Sequence, residues 1–304
     1  MIRKNVKVKD IVSYLSDEVL NVIGDYTIKE IDNISDIERV TESTLDWVNP
    51  SRNDRQQLAE NSKAKVLLVD PTVVMTEVMQ KNGKVLIIVE NPKMTLMKVS
   101  RQFFVVKPTP GIDPTAVIHP NARIGINNYI GPHCYIGDCE IGDNNIIHAN
   151  VSIYDRTVIG SNNEIHSGAV ICVDGLGCER KTDGTLIEFP QLGGVVIGDN
   201  CYIGGNTHIA SGSLADTVIE NGCKLNGMCF IGSNDHLHEN VWITGSTMLA
   251  GTVEVGKNTT IFSRVVAREW IKIGEGVTIG MGSVVTKNVP DGETWFGSPA
   301  KKHE

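Results

Sequence analysis

The chain has 304 residues, a net charge of −8 at neutral pH, and 41% hydrophobic but only 5% aromatic residues. This length allows one or two domains with a sizeable core, and the acidic balance argues against nucleic acid as the main partner. The N-terminus has no apolar signal segment, and no run approaches the roughly eighteen apolar residues of a membrane span, so we expect a cytoplasmic protein without a membrane span.

The first 107 residues alternate between helical and strand patterns. Helices are expected at 9–15, 53–63, 72–80 and 93–103, and strands at 26–31, 65–69 and 85–89. Such alternation predicts a small α/β domain over residues 1–107. The prolines and glycine of 107–111 then mark a linker, because they end regular structure.

From Ile112 to Val285 an aliphatic residue recurs with a period of six over most of the segment. The longest runs are Ile141, Ile147, Ile153, Ile159, Ile165 and Ile171, and then Ile219, Leu225, Ile231, Leu237, Ile243, Leu249, Val255 and Ile261. A period of six is typical of hexapeptide repeats, so the chain is expected to be mainly β, with a left-handed parallel β-helix over 108–289. Three hexads would form one triangular coil of about eighteen residues, with the aliphatic residues inside and neighbouring coils paired as parallel strands.

The period is interrupted at three places, and a short polar tail follows it. A long loop at 172–196 separates Ile171 from Ile197, four extra residues enter between Ile209 and Ile219, and the hexad around Ala267 is degenerate. A loop can leave a coil at a corner without breaking the stack, and such loops are often functional. The tail covers 290–304.

Seven cysteines occur, and no two of them form a Cys-x-x-Cys pair. Five stand two positions before a core aliphatic residue, where the crowded corner of a coil requires a small side chain: Cys134, Cys139, Cys201, Cys223 and Cys229. This placement predicts reduced core thiols rather than disulfides.

The long loop and the coils beside it carry a specific resemblance. Residues 174–177 (Asp-Gly-Leu-Gly), 189–193 (Phe-Pro-Gln-Leu-Gly), 196–199, 203–207 and 213–219 resemble the lipid A N-acyltransferases, which acylate the amine of a UDP-linked glucosamine. The resemblance implies that Trp47 and Asn49, in Trp47-Val48-Asn49-Pro50, hold the nucleobase. Asp174 and Gln191 flank the loop and are candidates for contacting sugar hydroxyls, and His208 is a further candidate beside the four-residue insertion.

A second resemblance lies at the C-terminal end. Residues 279–287 and 296–301 resemble the last coil of hexapeptide acetyl- and acyl-CoA transferases. It implies coenzyme A contacts at Gly280, Gly282, Ser283, Lys287, Pro299 and Lys301, where glycines allow close backbone approach and lysines meet phosphate.

Two departures from the lipid A family shape the functional prediction. The chain ends shortly after Pro299, which leaves no room for the C-terminal helices with which that family engages acyl carrier protein. Ser233 also stands where the family has its catalytic histidine, in the stretch 224–234. An isolated serine is no base near neutral pH, so the proton of the reaction needs another acceptor.

The richest polar cluster near Ser233 is Asn234-Asp235-His236, and we assign these three residues as catalytic, with His236 as the base. His208, His148 and His166 are the other outward histidines considered, and the thiolate leaving group could instead take the proton. No metal is expected, because His236 and His238 are interpreted as lying on different faces of a strand.

The sequence therefore predicts a homotrimeric N-acyltransferase that moves an acyl group from acyl-CoA, its co-substrate, to the amine of a dTDP- or UDP-linked amino sugar for surface polysaccharide or glycan synthesis. No tightly bound cofactor is expected. One alternative is a lipid A UDP-3-O-acylglucosamine N-acyltransferase that uses acyl carrier protein. The other is a non-catalytic β-helix scaffold.

Overall fold

The computed structural model describes residues 5–34 and 39–303, and the chain forms two compact units, Met1–Lys107 and Pro108–Glu304. The first unit holds a four-stranded sheet in the order Val19–Ile23, Val85–Val89, Val66–Val69, Leu45–Trp47, and a two-stranded ladder of Val6–Lys7 with Glu30–Ile31. Its helices are Val8–Tyr14, Arg55–Asn61, Glu77–Lys81 and Pro92–Val99, the last continued by a short π-helix, Ser100–Phe104.

One strand of this unit differs from the expectation. The alternating stretch 26–31 forms a strand only at Glu30–Ile31, whereas Val19–Ile23 joins the main sheet by antiparallel pairing with Val85–Val89. Pairing with a fully buried strand decides the position here, because β-propensity depends strongly on tertiary context.

The second unit is a parallel β-helix with three sheets, one for each face of the prism. Face 1 contains Gly111–Ile112, Tyr129–Ile130, Ile146–Ile147, Glu164–Ile165, Tyr202–Ile203, Lys224–Leu225, Trp242–Ile243, Thr260–Ile261, Thr278–Ile279, Thr294–Phe296 and Lys301–Lys302. Face 2 contains Val117–Ile118, Tyr135–Ile136, Ser152–Ile153, Val170–Val173, His208–Ala210, Phe230–Ile231, Met248–Leu249, Val266–Ala267 and Val284–Val285. Face 3 contains Arg123–Ile124, Glu140–Ile141, Thr157–Ile159, Val195–Ile197, Thr217–Ile219, His236–Leu237, Glu254–Val255 and Lys272–Ile273. The predicted left-handed parallel β-helix is confirmed.

The hexad aliphatics form the core of this unit. Ile147, Ile153, Ile165 and Ile171 are completely buried, whereas Ile112 in the first coil is 51% exposed. Within each strand the residue before the aliphatic points outward, so the aliphatic itself points into the prism. Ile112 is exposed because its strand lies at the end of its sheet and pairs on one side only.

Buried asparagines connect successive coils at one corner. The Oδ1 atom of Asn128 accepts a hydrogen bond from the backbone N–H of Asn145 at 2.7 Å, Asn145 accepts from Asn163 at 2.8 Å, and Asn163 accepts from Cys201 at 2.6 Å. The amide group of Asn128 also donates to the Gly125 carbonyl at 3.0 Å. These bonds satisfy polar groups that the corner encloses.

The five corner cysteines are buried free thiols, as the sequence predicts, and Cys172 is buried as well. Burial raises the pKa of Cys139 to about 11 and that of Cys223 to about 12. Cys178 differs, because it lies exposed on the long loop.

The long loop carries a β-hairpin, Gly177–Arg180 paired with Leu186–Phe189, and every residue of its two strands is exposed. The coils on either side remain in register, since Thr157–Ile159 pairs directly with Val195–Ile197. Among the described residues, no helix combines the length and apolar character needed to cross a membrane.

Candidate active site

Five polar side chains meet where the long loop leaves and rejoins the prism, and we call them the loop-base cluster: Arg156, Asp174, Gln191, Ser211 and Ser233. The guanidinium of Arg156 donates to the Gln191 carbonyl at 2.6 Å and to Asp174 Oδ1 at 3.1 Å, and Ser211 donates to the same carboxylate oxygen at 3.1 Å. The structure thus joins Asp174 and Gln191, both expected from the sequence, to an arginine and a serine that the sequence did not indicate.

Ser233 lies directly beneath the loop. Its hydroxyl donates to Gln191 Oε1 at 3.3 Å. A Cβ atom added at Gly175 would stand 2.4 Å from Ser233 Oγ, so a larger residue at this crossing would force the Ser233 hydroxyl or the loop to move. The position at which the resemblance places a catalytic histidine is therefore covered by the long loop.

Asn234 and Asp235 are the other two residues assigned to catalysis. Their side chains form hydrogen bonds that fix the neighbouring loop and coil. Asn234 Oδ1 accepts from the Ser213 hydroxyl at 2.5 Å and its amide donates to the Ala215 carbonyl at 2.9 Å, which fixes the four-residue insertion. Asp235 is fully buried, and its two oxygens accept the N–H groups of Gly232 at 2.7 Å and Val253 at 2.8 Å. Both side chains are thus occupied by structural contacts, and Asp235 has no access to a substrate.

His236 belongs to a second group of polar residues, on face 3. Its Nε2 atom lies 2.7 Å from Glu220 Oε1, and Nδ1 of His238 lies 3.0 Å from the same oxygen. The two imidazole rings stack with centroids 4.2 Å apart. The interpretation that these histidines lie on different faces of a strand was wrong, because positions two apart in a strand share a side and Leu237 between them points inward.

A second carboxylate supports this group from the next coil. Nε2 of His238 lies 3.1 Å from Glu254 Oε1, which also accepts from Lys272 at 3.0 Å. Burial acts to raise the pKa of Glu220, but the hydrogen bonds and charges of His236 and His238 outweigh it and hold the pKa below its usual value. Glu220 is therefore a carboxylate near neutral pH, able to orient His236.

The other three candidate histidines lie on other faces. His208, on face 2, stacks on Phe230 with ring centroids 5.0 Å apart, and burial lowers its pKa. On face 1, His148 and His166 stack at 4.5 Å with Glu164 beside them. The structure does not bring His208 into contact with the loop-base cluster or with His236.

In the first unit, Trp47 closes the strand Leu45–Trp47 and is half-buried against the core. Asn49 is exposed, and its side chain accepts a hydrogen bond from the Ser51 N–H at 3.0 Å. The ring of Trp47 therefore has both a packed side and an accessible side.

At the other end of the second unit, the C-terminal segment folds back onto the last coil. Ser283 is fully buried, donates to the Gly280 carbonyl at 2.6 Å and accepts from the Gly297 N–H at 3.2 Å. Gly282 takes the left-handed conformation at φ +71°. Lys287, Pro299 and Lys301 are exposed.

Comparison with known proteins agrees with this architecture. Residues 138–172 match the family described as bacterial transferase hexapeptide (six repeats). A UDP-3-O-acylglucosamine N-acyltransferase of Janthinobacterium sp. (strain Marseille) is 36% identical over 169 residues, which are 55% of this chain and 48% of that protein. The enzyme of the same name from Herminiimonas arsenicoxydans is 37% identical over 172 residues, covering 54% of this chain and 49% of the relative. The chain thus spans about half the length of the curated relatives it matches.

Solved structures of acyltransferases also superpose on this chain. LpxA from Bacteroides fragilis, a UDP-N-acetylglucosamine acyltransferase, superposes with a TM-score of 0.58 at 29% identity, over 64% of this chain and 74% of that chain. LpxA from Acinetobacter baumannii superposes with a TM-score of 0.55 at 26% identity, over 63% of this chain and 73% of the other.

These relatives correct two predictions. They are named for acylation of a UDP-linked 3-O-acylglucosamine. The main prediction was therefore wrong, namely acyl-CoA-dependent acylation of a dTDP- or UDP-linked amino sugar for surface polysaccharide. The relatives favour the first alternative, a UDP-3-O-acylglucosamine N-acyltransferase. The prediction of acyl-CoA as co-substrate was wrong as well. Six residues assigned to coenzyme A therefore no longer have a predicted ligand: Gly280, Gly282, Ser283, Lys287, Pro299 and Lys301. The chain is a left-handed β-helix protein whose residues 138–172 match the bacterial transferase hexapeptide family, and it resembles the UDP-3-O-acylglucosamine N-acyltransferases and the UDP-N-acetylglucosamine acyltransferases.

Proposed function

We propose that this chain transfers an acyl group from acyl carrier protein to the amine of a UDP-linked 3-O-acylglucosamine. The observation that carries the proposal is the 36–37% identity to relatives named for this reaction, extending over more than half of the chain. The donor follows from the resemblance to the lipid A N-acyltransferases.

The reaction requires a neutral amine directed at a thioester carbonyl and an acceptor for the amine proton. The nitrogen attacks the carbonyl carbon, the carbon–sulfur bond breaks, and the carrier leaves as a thiolate, which takes up the amine proton from the base. We assign the proton to His236. Nε2–H of His236 donates to Glu220 at 2.7 Å, so Nδ1 carries the free lone pair that accepts the proton. Glu220 thereby fixes the tautomer and the orientation of the ring, which is the role a carboxylate plays for a catalytic histidine.

The loop-base cluster supports the acceptor sugar in this proposal. Asp174 presents its carboxylate at the loop crossing, and Arg156 bonds both to this carboxylate and to the backbone carbonyl of Gln191. Gln191 is buried and its side-chain amide donates to the Phe189 carbonyl at 3.1 Å, so this side chain supports the loop. Because Asp174 is exposed, its carboxylate is available for sugar hydroxyls. In the first unit, we assign Trp47 to stacking on the uracil and Asn49 to hydrogen bonding with it.

We further propose that the chain works as a homotrimer. Outward apolar side chains on faces 1 and 2 need cover in water, since Trp242 is 50% and Met248 43% exposed. Light scattering at micromolar protein concentration should give three times the chain mass, and a monomeric mass would contradict this assembly.

The test of function uses the full chain with acyl carrier protein loaded with a fatty acyl group and with UDP-3-O-acylglucosamine, and follows the N-acylated product by mass spectrometry. His236→Asn should lower kcat by about 10²–10⁴-fold, the usual range for loss of a general base. His238→Asn is the matched control, because it removes the neighbouring ring from the same carboxylate, and its loss should be much smaller.

Two outcomes separate the parts of the proposal. No product from the wild-type chain would overturn the function itself. Product formation with a loss of roughly tenfold or less in His236→Asn would retain the function and transfer the proton to the departing thiolate.

A further inference from the structure

The prism carries two groups of similar composition, each with two histidines and a glutamate whose nitrogen or oxygen atoms lie within 4.8 Å of one another. One is Glu220 with His236 and His238 on face 3. The other, which the proposed reaction does not use, is His148, Glu164 and His166 on face 1. Their hydrogen bonding differs, and this difference indicates which of them is suited to a ligand.

In the face 3 group, both contacts to Glu220 are ordinary hydrogen bonds. The distances are 2.7 Å to His236 and 3.0 Å to His238, and the far nitrogen of His238 is held by Glu254. Protons bound to the rings account for each of these contacts.

In the face 1 group, one contact cannot be explained in this way. His148 Nε2 lies 3.1 Å from Glu164 Oε1, but His166 Nε2, 3.3 Å from the same oxygen, lacks hydrogen-bond geometry and has no partner among the described residues. This nitrogen is also shielded from solvent. A buried polar atom without a partner is costly, so its orientation calls for a missing group.

Two of the three ligand spacings fit a metal ion, and the two nitrogens lie within 4.8 Å of each other. Ligands about 2.0–2.1 Å from a tetrahedral zinc stand about 3.3–3.4 Å apart, close to the 3.1 Å and 3.3 Å separations of the two nitrogens from Glu164 Oε1. The Tyr202 ring, 4.6 Å from that of His166, supports its orientation.

We propose that His148, Glu164 and His166 form a zinc site on face 1, bound through Nε2, Oε1 and Nε2. His148 follows the strand Ile146–Ile147, whereas Glu164 and His166 lie in and just after the next strand of this sheet, Glu164–Ile165. A bound Zn²⁺ therefore links two adjacent coils. Two imidazoles and one carboxylate leave a fourth position for water or for an oxygen of a ligand.

The test uses the untagged full chain carrying Cys178→Ser, which removes the exposed thiol as a competing ligand. After chelator treatment and dialysis, Zn²⁺ is titrated by calorimetry, and Co²⁺ is added separately to record the visible absorption of a tetrahedral site. We expect one ion bound to this site per chain. At Zn²⁺ concentrations near 100 times Kd, the melting temperature should rise by about 5 °C.

The variant His166→Phe keeps a ring stacked between His148 and Tyr202 but removes the nitrogen. Since loss of an outer-shell partner alone costs 10–100-fold in metal affinity, loss of this ligand should cost at least about 100-fold. Glu164→Gln, which preserves shape and hydrogen bonding, should also weaken binding strongly. His236→Phe is the matched control and should leave binding at face 1 unchanged.

Absence of Zn²⁺ binding by the wild-type chain would overturn the proposal. Binding that survives in both His166→Phe and Glu164→Gln, or that disappears in His236→Phe, would overturn it as well, because the ion would then occupy the face 3 group or another place. Circular dichroism of each variant establishes that a loss of binding is not a loss of fold.

Discussion

Replacing Asp235 by asparagine should remove a distinct pH dependence from the stability of the β-helix. Burial raises the pKa of Asp235 from 3.8 to about 7, although the N–H groups of Val253 and Gly232 act in the opposite direction. In the unfolded chain the carboxyl titrates near its ordinary value. Between these two pKa values the folded state binds more protons than the unfolded state, so stability falls as the pH rises.

The size of the effect follows from the interval. A shift of one pKa unit corresponds to about 1.4 kcal/mol, so a shift of about three units corresponds to a loss of about 4 kcal/mol as the pH rises from about 4 to above 7. This stability is fully present below pH 4 and is lost by the time the pH has passed the folded pKa. Asparagine does not titrate, so the variant lacks this slope.

A constant term is superimposed on the slope. In Asp235→Asn, one oxygen can still accept from Val253, as in the asparagine corner, but the new NH₂ group faces the Gly232 N–H instead of accepting from it. An unsatisfied buried donor costs about 1–3 kcal/mol at every pH. The free energy of unfolding of the wild type minus that of the variant should therefore be larger by this cost at every pH. The same difference should decline by about 4 kcal/mol as the pH rises from about 4 to above 7.

Urea unfolding of both proteins at several pH values between 4 and 8 measures this difference. Placing Trp47→Phe in both backgrounds confines the fluorescence signal to Trp242, Trp270 and Trp295 of the second unit. Because every other titrating group is shared, only the difference curve matters. Parallel stability curves would refute the reasoning and show that the two N–H bonds fully offset the burial of the carboxylate.

Three further predictions concern packing and the site. Ile261→Ala should lower the free energy of unfolding by about 2–5 kcal/mol, because Ile261 is fully buried. Thr260→Ala, on the outer side of the same strand, should change it by about 0.5 kcal/mol or less. Comparable losses for the two variants in urea unfolding would contradict the inward–outward assignment. Gly175→Ala should displace the loop and lower turnover, and adding Ser233→Ala should restore part of it, since the clash is with Ser233 Oγ; no recovery in the double variant would place the clash elsewhere. Trp47→Ala should weaken UDP binding in calorimetry by about 1–3 kcal/mol, and unchanged affinity would show that the ring serves only the core.

The prism could be predicted from sequence because its period is local and strict. Ile147 and Ile153 are completely buried, as their place in the hexad requires, and the helices Val8–Tyr14 and Arg55–Asn61 lie at the expected positions within two residues. A six-residue period fixes which side chains face inward without any knowledge of which coils are neighbours.

The polar contacts required that knowledge. The bond between His236 and Glu220 spans 16 residues, because these side chains lie on adjacent coils of face 3. Ser233 reaches Gln191 across 42 residues, because Gln191 lies near the end of the long loop and the four-residue insertion follows before Ser233. Insertions change the register between coils by amounts that periodicity does not reveal, which explains why Arg156, Ser211 and Glu220 gave no signal in the sequence.

The uneven burial of the cysteines leaves one thiol accessible to thiol-specific reagents. Six thiols are enclosed in the prism, and those of Cys139 and Cys223 have pKa values of about 11 and 12, so almost none of their thiolate forms near neutral pH. Cys178 alone is exposed, on the first strand of the hairpin, three residues beyond Gly175. A maleimide dye added to the native protein would therefore label the loop selectively, and its emission would report any change in the surroundings of the loop when substrates are added.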